Sequence, residues 1–482
     1  MSSLLPRLLR SLLFLAAIGA LPCHSQQNER APSDLREITV EQAIDIALER
    51  NPEILVARQE IARTLGLIVE VRSQVIPRAS ISGDFSERDE ALIENRQFGA
   101  SSSTQTWALT ANIRQLIYSG GAVRAALEIA RLTRDNSWFA LVETVNRIIT
   151  EVRRQYFNIT LSRELITVEE ESVALLEQEL ADQKNRFAAG TVPQFNVLRA
   201  EVELANAQPG LIAARNDYRI AQLRFARLLG VSLPDGSIGT DTPLYVPITP
   251  MEAPPYKVTL AEAQGMATLR RALLKQRRQD ILIATENIRV QRAGYHPRID
   301  AVGGYEIRSS FLDADWSNRL EGWFAGVQGS WNIFDGLETA GKVDQARADL
   351  GKAKIAYEDA MRQVKLEVQE AYSQLREAQE LIQSQSKTVE QAREALRLAQ
   401  ARFSAGAGTQ LEVFDARVAL NRTQVVELRA RFDYIVALAE IERATGTAFD
   451  FDTSFEDPLM KKRWVKKLLT PVADQPQPAL QE

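Results

Sequence analysis

The chain says its pattern twice. The run RFAAGTVPQFNVLRAEVEL from Arg186 is matched by RFSAGAGTQLEVFDARVAL from Arg402, an offset of 216 residues (402 less 186). The same offset carries Asp217-Tyr218 onto Asp433-Tyr434, Gly230 onto Gly446, Trp107 onto Trp323 and Ser119-Gly120 onto Asp335-Gly336. Upstream, Pro77-Arg78 matches Pro297-Arg298 and Thr39 matches Thr259, now at an offset of 220. So many landmarks in one order mark a tandem duplication, and the fold must be built from two equivalent units.

Within each unit the hydrophobic period changes from two to about 3.5. In RASISGDFSER the residues Ala79, Ile81, Gly83 and Phe85 alternate with Ser80, Ser82, Asp84 and Ser86. Trp107, Leu109, Ala111 and Ile113 alternate likewise with polar neighbours, as do Ile299, Ala301, Tyr305 and Ile307. The fourth run sets Trp323, Ala325, Val327, Trp331 and Ile333 against Gln328, Ser330 and Asn332. Each is a strand of roughly 10 to 12 residues, the length that spans a membrane in a β-barrel. A half-buried soluble sheet would alternate in the same way.

The helical segments are longer than a globule needs. From Tyr357 to Phe403 apolar residues recur at gaps of three and four, a sustained heptad. Bounded by Gly336 and Gly406, this helix has about 68 residues and is roughly 100 Å long at 1.5 Å per residue. Val173, Leu176, Leu180 and Phe187 continue the same pattern in the first copy. Shorter helices flank each long one. Pro77 and Pro297 mark the passage from helix into strand, and Gly120 and Gly336 the return from strand to helix.

These readings divide the chain as follows. Residues 1–25 are a signal peptide. Residues 26–257 form the first repeat, with strands at about 78–88 and 104–118, a long helix at about 121–188, a helix at about 194–229 and a linker at 231–257. Residues 258–446 form the second, with strands at about 297–308 and 322–334, a long helix at about 337–404 and a helix at about 409–445. A tail at 447–482 follows. Pro209-Gly210 predicts a kink in the helix after the first tip.

One stretch resembles a phosphate-binding loop. In WNIFDGLETAGKVDQAR, Gly336 is followed by four residues and Gly341-Lys342, but then by Val343 instead of Ser or Thr. Its counterpart SGGAVRAAL keeps only a small polar residue followed by glycine. Moreover, the preceding strand alternates, whereas a phosphate loop follows a continuously apolar one. The glycines therefore serve to turn the chain.

Composition narrows the chemistry. Arg7 and Arg10 precede an apolar run, Leu12–Leu21, that is too short to span a bilayer and reads as an export signal. Cleavage after Ser25 leaves no cysteine and one histidine, His296. Disulfides, Cys/His zinc sites and cysteine nucleophiles are then excluded, and no cofactor is implied. Lipidation at Cys23 is disfavoured by Pro22. A net charge of −5 gives no footprint for nucleic acid. The basic run KKRWVKK at Lys461–Lys467 reads as a solvated tail.

Four amphipathic strands cannot close a barrel, and an open edge in lipid leaves backbone groups without partners. Several copies must therefore share one barrel; three would supply twelve strands.

The duplicated RF(A/S)AG tips, the EVFDA run after the second tip, and the proline–strand and strand–glycine junctions together resemble the TolC family of outer-membrane efflux channels over nearly the whole mature chain. The resemblance implies a mostly α fold with a small β part: a homotrimer sharing a 12-stranded outer-membrane barrel above a long periplasmic α-helical coiled-coil barrel. It also implies that the protein is no enzyme, that it meets outer-membrane lipid with most of its chain in the periplasm, and that it partners a periplasmic adaptor and an inner-membrane transporter. By the same resemblance Glu412 and Asp415 stand where an acidic ring narrows the periplasmic entrance, with Asn196, Arg199 and Phe403 as their possible partners. Arg199 is expected to pair with a carboxylate. The tips (Arg186, Phe187, Ala189, Gly190, Val192, Pro193; Arg402, Ala405, Gly406, Thr409) are the expected adaptor surface. Two other functions compete with efflux: a duct for protein secretion, and a soluble periplasmic coiled-coil structural protein.

Overall fold

The computed structural model describes residues 37–89, 105–231, 243–252, 255–309 and 319–448. The signal peptide, Cys23 and nearly all of the tail, including the KKRWVKK run, lie outside them. The first repeat begins with β1 (Glu37–Ile38) and α1 (Val40–Arg50), followed by α2 (Pro52–Arg72). Next come β2 (Arg78–Glu87), β3 (Gln105–Ser119), α3 (Ala122–Ala188) and α4 (Gln194–Leu228). After β4 (Val246–Pro247), the second repeat gives α5 (Leu260–Arg270), α6 (Ala272–Arg292), β5 (Arg298–Ser309), β6 (Leu320–Ser330), α7 (Glu338–Ser404) and α8 (Gln410–Thr445).

Local chemistry sets these boundaries. Thr39 and Thr259 open α1 and α5 with reciprocal capping boxes, closed by Gln42 and Glu262. Pro52 occupies the first turn of α2, where its missing N–H is no loss, while the Asn51 side chain caps the following amides. The long helices α3 and α7, of 67 residues each, end at Gly190 and Gly406, both with left-handed φ near +75° and +72°. There Thr191 N–H donates to Arg186 O and Ala407 N–H to Arg402 O, each at 2.9 Å. These bonds occupy carbonyls that the helix ends would otherwise leave open.

The four long strands form one antiparallel sheet in the order β2-β3-β5-β6. Its register puts Ala79 opposite Ile113, Ile81 opposite Ala111 and Phe85 opposite Trp107. It continues with Leu109 opposite Ile307, Ala111 opposite Tyr305 and Tyr305 opposite Trp323. Because strand side chains alternate, all of these share one face. The other carries Arg78, Ser80, Asn112, Thr110, Glu306 and Gln328. Ser80 Oγ and Asn112 Oδ1 are hydrogen-bonded across it at 2.7 Å. The apolar face is exposed: Ile81, Ile113, Trp323 and Val327 cover nothing of their own chain. β2 and β6 are each paired on one side only.

One detail differs from expectation. The fourth strand was expected to reach about residue 334 but ends at Ser330, opposite Arg298, where its partner β5 begins and no backbone remains to pair with. β3 reaches Ser119 on the same partner by way of a bulge between Leu116 and Tyr118. A kink was expected at Pro209-Gly210; α4 holds Pro209 inside a helix that runs from Gln194 to Leu228. Packing along α3 sustains it across the missing hydrogen bond.

Beside the sheet the helices lie in the order α2, α3, α6, α7, with α4 and α8 along α3 and α7. The main core gathers Leu141, Ile148, Val152 and Phe225 around Tyr156. Its buried hydroxyl donates to Ile38 O at 2.8 Å and accepts from Ile248 and Thr249 N–H at 3.1 and 2.9 Å. One phenol thus satisfies the edge of the small β1–β4 sheet.

Candidate functional site at the helix tips

Both hairpins end in the same turn, and the residues singled out in the sequence flank it. Thr409 caps α8 by accepting from Glu412 N–H at 3.3 Å. This places Glu412 in the first helical turn, where a carboxylate is favoured by the helix dipole. Glu412 lies 3.7 Å from the Arg402 guanidinium across the turn, and Arg402 Nη2 also donates to Ala407 O at 3.3 Å. Asp415, one turn on, is exposed.

Around the first tip, Arg186 pairs with Asp182 at 2.9 Å and lies 5.2 Å above the Phe403 ring. The two tips are therefore joined by a cation–π contact. Asn196 sits half-buried in the first turn of α4, its N–H bonded to Pro193 O at 3.0 Å. Arg199 has no carboxylate at ion-pair distance among the described residues; its guanidinium stacks 5.7 Å over Phe414. Phe187, Ala189, Gly190, Pro193, Ala405 and Gly406 are exposed and Val192 is half-buried. No Cβ built on Gly190 or Gly406 would meet an atom within 4 Å.

Sequence reasoning missed Arg417. It is buried on α8, 6.0 Å from the same Phe414 ring, so two guanidinium groups share one aromatic face pair. Its Nε and Nη1 are buried without partners. Burial lowers its pKa, opposed by the charge of Glu179. Glu179 Oε1 accepts from Gln183 at 2.8 Å and from Gln410 at 3.3 Å, tying α3 to α8. A polar residue at one heptad position gives no signal of burial, so nothing in the pattern pointed to it.

Farther up, the two repeats meet around a buried cation. Arg271 Nη2 lies 3.1 Å from Glu143 and 2.9 Å from Glu367. Arg443 and Glu440 extend the cluster, and Arg154 joins it through Glu440 at 2.6 Å. Desolvation lowers the Arg271 pKa, while Glu143 acts in the opposite sense. Among the described residues no group of three or more potential metal ligands is gathered within one chain, and no helix is long and apolar enough to cross a membrane.

The family model for outer membrane efflux proteins matches residues 43–231 and 265–447, one segment in each repeat. The outer membrane efflux protein BepC of Brucella suis is 23% identical over 291 residues, 60% of this chain and 61% of that protein. The alkaline protease secretion protein AprF of Pseudomonas aeruginosa is 22% identical over 311 residues, 63% of this chain and 62% of that one. The chain thus spans about three fifths of the length of these two curated relatives. Among solved structures, the CmeC outer membrane channel of Campylobacter jejuni superposes with a TM-score of 0.75 at 15% identity, over 89% of each chain. That likeness is one of fold: a mostly helical channel protomer with a small sheet.

Proposed function

Since the chain belongs to the outer membrane efflux protein family, a family of channels and not of enzymes, we propose that it forms the passive exit duct of a tripartite efflux system. In this reading three copies share one 12-stranded barrel in the outer membrane of a Gram-negative-type bacterium. Their helices form a periplasmic tunnel that docks through its tips to an adaptor and an inner-membrane pump, which supplies the energy. One observation carries the reading: an antiparallel sheet with an exposed apolar face and two unpaired edges, continuous with helices of 67 residues. Lipid fits the face, and in lipid the edges of β2 and β6 require partners. Since β2 and β6 run antiparallel to one another, a neighbour's β2 can extend the sheet in the same sense.

The proposed domain division follows the repeats, with the small β1–β4 sheet and the core around Tyr156 as the girdle between tunnel halves. In the tunnel, Glu412 and Asp415 from three copies would place six carboxylates about one axis and favour cations. A second reading, a duct for protein secretion, is favoured by the similarity to the protein named for alkaline protease secretion.

Single cysteines along β2 and β6 test the shared barrel, because export is expected to leave the mature chain without any. Oxidation in native envelopes should yield covalent trimers from β2 and β6 pairs. Monomers alone, across the whole panel, would rule the barrel out.

A further inference from the structure

α4 and α8 hand the chain on through one geometry. Gly230 and Gly446 have φ +70° and +72°. A Cβ on either would crowd the last residue of the short helix that opens its repeat, Arg50 of α1 or Arg270 of α5. Val231 N–H donates to Ala226 O at 3.1 Å, and Thr447 N–H to the matching Glu442 O at 2.8 Å. The chain therefore leaves both helices in the same direction. In the first repeat it returns as Pro243-Leu244-Tyr245 and β4. The tail repeats that signal as Pro458-Leu459-Met460, at an offset of 215. Eleven residues lead from Thr447 to Pro458, against twelve from Val231 to Pro243, so the tail has the same reach.

What the returning segment covers in the first repeat stands half-buried in the second. Tyr245 exchanges two backbone hydrogen bonds with the Gln222 side chain, at 2.7 and 3.0 Å, and packs edge-on against Phe225. Ile248 and Thr249 N–H donate to the Tyr156 hydroxyl, and β4 pairs in parallel with β1. Ile38, Tyr156 and Gln222 are fully buried there. Their counterparts Val258, Tyr372 and Leu438 are half-buried. The Tyr372 hydroxyl has no hydrogen bond among the described residues, and residues 257–258, which match β1, have no strand partner among them. The same cluster, through Ile382 and Tyr434, borders a cavity of about 470 Å³ that Glu252 also lines. Burial raises the Tyr256 pKa, and Glu442, Tyr372 and Glu262 push it the same way, so this face is acidic as well as apolar. The run that follows Met460, KKRWVKK, holds five cations in seven residues and complements that charge. Lysine also suits a strand at a sheet edge, where charge discourages further pairing.

We infer that residues 458–464 of the tail dock on the second repeat as residues 243–249 dock on the first. Residues 461–462 pair in parallel with 257–258. The Tyr372 hydroxyl takes the part of Tyr156, donating to Val258 O and accepting from the N–H groups of Arg463 and Trp464. The basic run is then an edge strand of the girdle instead of a solvated tail. A neighbouring copy is the rival occupant, but the exit turn, the reach and the Pro-Leu signal all belong to this chain and favour its own tail. The docking does not depend on the barrel.

The test oxidises full-length protein in native envelopes, carrying Val258→Cys with one cysteine at each position from 459 to 465 in turn, and maps the links by peptide mass spectrometry. Disulfides within one chain should peak at Lys462→Cys, which stands to residue 258 as Pro247 stands to Ile38. Glu482→Cys, at the chain end, should stay unlinked. In limited proteolysis of the purified full-length protein, Tyr372→Phe should speed tryptic cleavage after residues 461–463 roughly fivefold, the loss of one hydrogen bond from the docked state. Links between chains would assign the face to a neighbouring copy and overturn docking within the chain. No link at any tail position would overturn the docking, as would equal linking along the whole tail, residue 482 included. Cleavage unchanged by Tyr372→Phe would overturn the hydroxyl contact and the register with it.

Discussion

Asn51 and Arg271 occupy the same place at the heads of α2 and α6, and each reaches the last turns of the tip helix in its own repeat. Asn51 Nδ2 donates to Leu228 O at 2.8 Å, and Arg271 Nη1 donates to Arg443 O. The first contact is neutral and local. The second belongs to a buried charge cluster that also holds Glu143 of the first repeat. Duplication supplied one joint twice, and the second copy has become the seam between the halves.

Arg271→Gln should therefore destabilise the protein much more than Asn51→Ala. Removing the cation leaves Glu143 without its partner and Glu367 with Arg443 alone, in a site with little solvent, a change worth about 3 kcal/mol or more. Asn51→Ala loses a cap and one hydrogen bond, about 1–2 kcal/mol. Denaturant midpoints for the two variants should differ in that order; equal losses would deny Arg271 its role at the seam.

Glycines of one backbone class should respond unequally to alanine. Gly230 has φ +70°, and a Cβ there would collide with the Arg50 carbonyl oxygen. Gly190 has φ +75° with open space around it. Gly190→Ala should cost about 1 kcal/mol of left-handed strain, while Gly230→Ala should cost clearly more and lower the yield of folded protein. If the tips receive an adaptor hairpin, Gly190→Ala with Gly406→Ala should reduce adaptor capture although folding persists.

If Glu412 and Asp415 line the tunnel entrance, as proposed, Glu412→Gln with Asp415→Asn should reduce cation preference in single-channel recordings and weaken block by divalent ions. Arg402→Gln removes the cation 3.7 Å from Glu412 and should shift selectivity the other way. Unchanged selectivity in the first variant would remove these carboxylates from the constriction.

The cap of α5 predicts a pH response. Glu262 accepts from Thr259 N–H at 2.9 Å, and this bond to its ionised form holds its pKa below the usual carboxylate range. A depressed pKa means a stabilising contribution present above the unfolded value, about 4.3, and lost as pH falls through the lower folded value. Hydrogen exchange in the first turn of α5 should therefore accelerate, relative to intrinsic rates, as pH drops below about 4. Thr259→Ala should open that turn by about 1 kcal/mol at neutral pH.

The features that were legible in the sequence are those written in periodicity. Alternation from Ala79 to Phe85 gave a strand face, heptads from Tyr357 to Phe403 a long helix, and the offset of 216 the order of elements. The capping boxes at Thr39 and Thr259 stand in the sequence as Thr-x-x-Gln and Thr-x-x-Glu, but the short helices they open were not read from them. What stayed hidden depends on contacts between distant segments. Arg271 and Arg417 look like surface arginines until α3, α7 and α8 pack around them, and Ser330 ends β6 only because β5 begins at Arg298.

The single-sided pairing of β2 and β6 has a genetic consequence. In the three-chain ring proposed above, one member with a faulty edge spoils the whole, so a defective allele would poison its normal counterpart. With equal expression of both, roughly one ring in eight would contain only sound subunits. Edge-strand prolines in β2 or β6 should accordingly behave as dominant alleles, while an equally disruptive lesion that prevents export should be recessive.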